Sequence, residues 1–119
     1  KSWWDTVDMI AQKLVGPHFL RFPDLRDRYV SRWRNSDNIW LNRTALLFQN
    51  RYKVNTDFDL LADLVRQFSN CEEFFIQKAI GWALREYGKT DPSRVKNFVE
   101  NQPLPALSKR ESIKRLKGA

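Results

Sequence analysis

The feature that most constrains the fold is a recurrence near 35 residues. Thr56-Asp57 returns as Thr90-Asp91 after 34 positions, each time at a helix start. Shifted by 35, Ile39-Trp40-Leu41-Asn42-Arg43 lies over Phe74-Phe75-Ile76-Gln77-Lys78, and the same shift backwards sets Arg43 on Asp8 and Ile39 on Trp4. A helix pair of this length is the unit of an α-solenoid, in which each repeat packs only on its neighbours.

Turn and cap residues divide the chain in agreement with that period. Ser2 caps a helix over residues 3–15, stopped by Gly16-Pro17. Pro23 opens 24–34, the turn Asn35-Ser36 leads to 37–52, and Thr56 caps 57–68. Asn70 precedes 71–87, which Gly88 terminates. Thr90-Asp91-Pro92 starts 92–102, halted before Pro103, and Ser108 caps 109–117. Four glycines and five prolines in 119 residues suit helices better than a turn-rich β protein, and no segment alternates as a strand does. The expected fold is all-α, a single α-α superhelix of antiparallel pairs: 24–34 with 37–52, 57–68 with 71–87, 92–102 with 109–117. The opening helix lacks a partner, so residues 1–119 are expected to be the C-terminal part of a longer solenoid.

Composition removes several function classes. Hydrophobic residues at 42% argue against disorder, and no stretch nears the roughly 20 apolar residues of a membrane span. One cysteine, Cys71, allows no internal disulfide, and with one histidine, His18, leaves no ordinary zinc site. His18 reads as structural. Twenty-one Lys and Arg against 14 Asp and Glu give a net charge of +7, which suits a polyanionic partner.

At 100° per residue, Trp3, Val7, Ile10 and Leu14 share a face expected to be core, opposite Trp4, Asp8 and Gln12. Leu41, Ala45, Phe48 and Tyr52 likewise oppose Arg43 and Asn50, while Ile76, Ile80, Ala83 and Tyr87 oppose Lys78, Trp82 and Arg85. Asp8, Arg43 and Lys78 thus hold equivalent places on one outward, concave surface, with Trp4 and Trp82 beside them. Structural readings compete at each position: an acid near a helix start, solvated bases, tryptophans packed under neighbours. Shared repeat position favours function. Gly81, in mid-helix beside Trp82, suggests close approach of a neighbour or ligand.

Ser2-Trp3-Trp4-Asp5-Thr6-Val7-Asp8, Trp40-Leu41-Asn42-Arg43-Thr44-Ala45 and the run from Phe74 to Tyr87 resemble the AlkD-type DNA alkylation repair glycosylases, proteins of HEAT-like repeats; Leu107-Ser108-Lys109-Arg110-Glu111 is similar as well. The resemblance implies hydrolysis of the N-glycosidic bond of cationic alkylated purines (3-methyladenine, 7-methylguanine) in duplex DNA, without deep base flipping and without cofactor or metal. It implies that Trp4, Asp8 and Trp82 form the catalytic cluster and that Arg43 grips the DNA backbone. Lys78 and Arg85 join as DNA-binding residues from the helical wheel. Asn42 departs from the basic residue expected before Arg43.

The chemistry suits these residue types. A cationic purine leaves readily, and an acid beside the sugar can stabilise positive charge developing there or orient water. Indole faces attract cations, and a guanidinium clamps phosphate bidentately. A lysine Schiff base would need a desolvated lysine, so monofunctional hydrolysis is the expectation. The basic 109–117 helix adds phosphate contacts or serves as a solvated cap. Localisation is expected to be cytoplasmic and nucleoid-associated, with the protein a monomer. A non-catalytic DNA-binding module and a protein-interaction solenoid are the alternatives.

Overall fold

The computed structural model describes residues 3–102, the side chain of Trp4 excepted. Every regular element among them is helical: α1 (Trp3–Ile10), a π-helical turn (Ala11–Val15), α2 (Gly16–Arg21), α3 (Pro23–Arg34), α4 (Ile39–Leu47), a 3₁₀ turn (Lys53–Asn55), α5 (Phe58–Phe68), α6 (Phe74–Gly88) and α7 (Pro92–Asn101). Ser2 and the 109–117 helix lie outside the described residues.

Short polar side chains set the helix starts. Asn38 accepts from the amide of Trp40, Asp57 from that of Leu60 and Asp91 from that of Arg94, each satisfying a donor that the first turn cannot. The cap of α5 is therefore Asp57 and not Thr56. The side chain of Gln49 closes the preceding loop, accepting from the amide of Asp57 at 2.7 Å. The helix expected over 71–87 starts three residues later, after Glu73.

α4 is the centre of the molecule, with α1, α3, α5 and α6 all packed on it, and α7 covers α6. Phe48, Leu46, Leu47, Leu64, Ile76, Ile80, Leu84, Val95 and Val99 build the dry core. Residues one repeat apart meet: the rings of Trp40 and Phe75 lie 5.1 Å apart, and Arg94 pairs with Asp59 at 3.1 Å. The recurrence thus has direct physical content, since side chains such as these meet their successors one repeat on.

Three further expectations change. Gly16-Pro17 does not stop the first helix. The chain widens into the π-helical turn and re-enters α-helix with Pro17 in the first turn, where its missing N–H is harmless. Gly16 is needed there because a Cβ would stand 2.6 Å from the carbonyl oxygen of Phe48, while that glycine's own carbonyl accepts from the Tyr52 hydroxyl. Second, α4 ends at Leu47, with turns replacing the rest of the span expected to reach 52.

Third, the faces differ. Trp3, Ile10 and Leu14 are exposed, whereas Asp8 and Ala11 are buried. Arg43 is buried as well, and Leu41 is 38% exposed. From Asn42 to Leu47 every residue of α4 is buried, so the stripe assigned to it could not separate inside from outside.

Candidate active site

Asp8 and Arg43 form the buried polar centre of the structure. Asp8 comes from the last turn of α1 and Arg43 from the middle of α4; they are 7% and 6% exposed. Nε and Nη2 of Arg43 donate to Oδ1 and Oδ2 of Asp8, both at 2.8 Å. Nη1 donates to the carbonyl oxygen of Phe75, and the guanidinium lies 5.9 Å from the centre of the Phe75 ring. This two-pronged geometry is what a planar guanidinium offers and an ammonium cannot. Burying two charges costs several kcal/mol each, which close pairing and further hydrogen bonds offset.

The pair forms one wall of an open groove of about 480 Å³. Lys78, Trp82, Phe74 and Phe75 border it from α6, while Asp5, Gln12 and Lys13 border it from the opening helical segment. Arg51 adds a further base. Four basic residues therefore face two acids, Asp5 and Asp8, in keeping with an anionic occupant. Trp82 is half-buried against the core and donates from its indole nitrogen to Glu86 Oε1 at 3.3 Å, which fixes the ring while leaving part of it to the groove.

Of the residues singled out by sequence, the structure gathers Asp8, Arg43, Lys78 and Trp82 here. Arg85 lies farther along α6, half-buried and outside the groove lining. Trp4 belongs to α1, its side chain outside the described residues. Arg43 was expected on an outward face and is instead directed inward, toward Asp8. The reason is the opposite charge at the equivalent position of the neighbouring helix, an interaction strong enough to override the amphipathic pattern.

Sequence reading missed Phe74, Phe75, Lys13 and Arg51. A signal existed for Phe75, which the 35-residue shift sets on Trp40. Asn42 also has a structural role, since its amide donates to the carbonyls of Trp33 and Ser36 at 2.7 and 3.1 Å and so ties down the end of α3. Among the described residues no three His, Cys, Asp or Glu gather as metal ligands, and no helix is long and apolar enough to cross a membrane.

Comparison with known proteins now bears on this groove. A search among curated proteins finds no match. A solved structure described as "Predicted DNA alkylation repair enzyme from Enterococcus faecalis" superposes with a TM-score of 0.89 at 36% identity, covering 99% of this chain. This chain spans about half of that relative, 55% of its length. The sequence model of one family, DNA alkylation repair enzyme, matches residues 1–116. The chain therefore belongs to the DNA alkylation repair enzyme family.

Proposed function

We propose that this chain carries the catalytic site of a monofunctional, AlkD-type DNA glycosylase built of HEAT-like repeats. Its substrates are cationic alkylated purines, 3-methyladenine and 7-methylguanine, in duplex DNA. The observation that carries this reading is the buried carboxylate of Asp8, oriented at both oxygens by Arg43 on the wall of an open groove in which bases outnumber acids.

In the proposed reaction the bond from C1′ to the purine nitrogen breaks first or foremost, and its electron pair neutralises the departing cationic base. Positive charge appears on the deoxyribose, where Asp8 stabilises it. Water then bonds to C1′ and loses its proton to Asp8 or solvent. Each carboxylate oxygen keeps lone-pair capacity beyond the bond to Arg43, so Asp8 can still accept from water. Trp82, together with Trp4, offers an aromatic face to the charged sugar and base. Arg43 acts mainly by positioning Asp8, and its remaining N–H groups reach phosphate. Lys78 and Arg85 contribute to the DNA backbone contacts. An open groove suits a lesion that stays stacked better than one flipped into a deep pocket.

One observation favours a second reading, a non-catalytic DNA-binding module: both oxygens of Asp8 are already engaged. Release of 7-methylguanine from methylated duplex DNA, measured for the chain beside Asp8→Asn, separates the two. The glycosylase reading expects a loss of about 10²-fold or more in the variant. Equal release by both proteins removes Asp8 from the mechanism, and DNA affinity without any release supports the binding module.

A further inference from the structure

Four aromatic rings touch in series across the starts of three helices. Trp3 at the start of α1 meets Trp40 of α4 with centroids 4.5 Å apart, Trp40 meets Phe75 of α6 at 5.1 Å, and Phe75 meets Phe74 at 5.4 Å. The inner two are half-buried; the outer two, Trp3 and Phe74, are 54% and 55% exposed. Leaving two large rings so wet forgoes a substantial hydrophobic gain, and edge contacts with the row restrict how each can turn.

The place of the row gives it meaning. Its Phe74–Phe75 end borders the groove of Asp8 and Arg43, alongside Lys78. The Phe75 carbonyl also accepts from Arg43, so the row is joined to the buried pair by a hydrogen bond. An exposed ring held at the rim of a basic groove is the combination by which proteins hold unstacked bases: charge follows the backbone, and the ring face takes a base of any sequence.

We infer that Phe74 is a stacking site for one unstacked nucleobase of the bound DNA, next to the lesion, with Trp40 and Phe75 as its rigid backing. This rests on the groove being the DNA-facing surface proposed above. An open groove gives a base no pocket, so any base that leaves the stack beside the stacked lesion would need a platform on the surface. The Phe74 ring supplies one without a sequence requirement.

The test is equilibrium binding by fluorescence anisotropy to two labelled, undamaged duplexes, one fully paired and one carrying a single unpaired nucleotide. The chain is expected to bind the second at least about fivefold more tightly, the lower end of what stacking one base on an aromatic side chain contributes. Phe74→Ala is expected to erase the preference, weakening binding to the second duplex at least about fivefold more than to the first, and Phe74→Trp to keep it. Circular dichroism verifies that both variants remain helical. Equal affinity of the unsubstituted chain for the two duplexes overturns the inference, as does Phe74→Ala weakening both alike. Neither duplex requires base release. A preference without glycosylase activity therefore sinks only the catalytic reading, and activity without the preference sinks only the stacking site.

Discussion

Arg43 grips both carboxylate oxygens of Asp8 across 35 residues of sequence, with two bonds of 2.8 Å in a place almost closed to solvent. Two helices that are separate in sequence are thereby registered on each other at the point where the proposed chemistry occurs. Removing one member leaves the other charge buried and unpaired. Arg43→Met is expected to cost about 3–5 kcal/mol, read as a lower midpoint in urea unfolding. The double variant Asp8→Leu/Arg43→Met is expected to recover most of that stability and none of the base release. A double variant less stable than Arg43→Met would show that the lost stability arises elsewhere.

Gly16→Ala tests the close approach of the opening helical segment to the turn after α4. The added methyl meets the carbonyl oxygen of Phe48 at 2.6 Å, and backbone cannot move as a side-chain tip can. Overpacking of this kind costs about 1–3 kcal/mol, and calorimetry should find Tm lower by several degrees. An unchanged Tm would mean that the two segments slide apart at little cost.

Asn42→Lys restores the basic residue that the family resemblance led one to expect before Arg43. It also deletes two hydrogen bonds to the end of α3 and introduces an ammonium at a position 7% exposed. The expected result is a loss of at least about 1–3 kcal/mol of stability, with no gain in DNA affinity and no steeper salt dependence. A steeper slope of log affinity against log salt would place that side chain on the phosphate path after all.

Alkaline stability has an identifiable contributor. Burial pushes the Tyr52 hydroxyl up from 10.0 to about 12, with the charge of Arg26 pulling weakly the other way. The folded state therefore holds this proton more tightly than the unfolded chain. The stability so contributed is fully present below pH 10 and is lost as pH rises from 10 toward about 12. Tyr52→Phe also forfeits the bond to the Gly16 carbonyl and should be less stable by about 1 kcal/mol near pH 8. Urea midpoints of the two proteins are expected to converge between pH 10 and 12. A constant gap across that range would detach the alkaline loss from Tyr52.

How far the sequence was readable depended on what each residue reported. Asp57, Asp91 and the prolines at 23 and 92 act locally, and the helices they open stand where the pattern puts them. The α6 stripe of Ile76, Ile80 and Ala83 also lies inward, because α6 keeps a solvent side that makes inside and outside distinguishable. α4 is buried all round from Asn42 to Leu47, and its orientation was lost with that contrast. At the site, the equivalence of positions 8 and 43 was legible and their direction was not. Equivalent positions in a stacked array face each other as readily as they face solvent, and opposite charges settle the choice. Phe74 and Lys13 join the groove through the stacking of separate helices, a tertiary outcome that no single wheel contains.

The π-helical turn at Ala11–Val15 gives the opening helix a property of gearing. Upstream of it Asp8 points inward, and downstream Phe19 does, so the turn sets the angle between the face that carries Asp8 and the face that carries Phe19. A π-helical turn takes about one residue more than the α-helical turn it replaces, so deleting one residue within it would restore a regular α-helix and leave its two sides nearly in phase. Asp8 would keep close to its direction toward Arg43 although the segment had been shortened. Alignment of this pair is thus a matter of phase as much as of composition, and the turn lets a one-residue length change 3 to 7 positions from Asp8 be absorbed without turning the carboxylate away from Arg43.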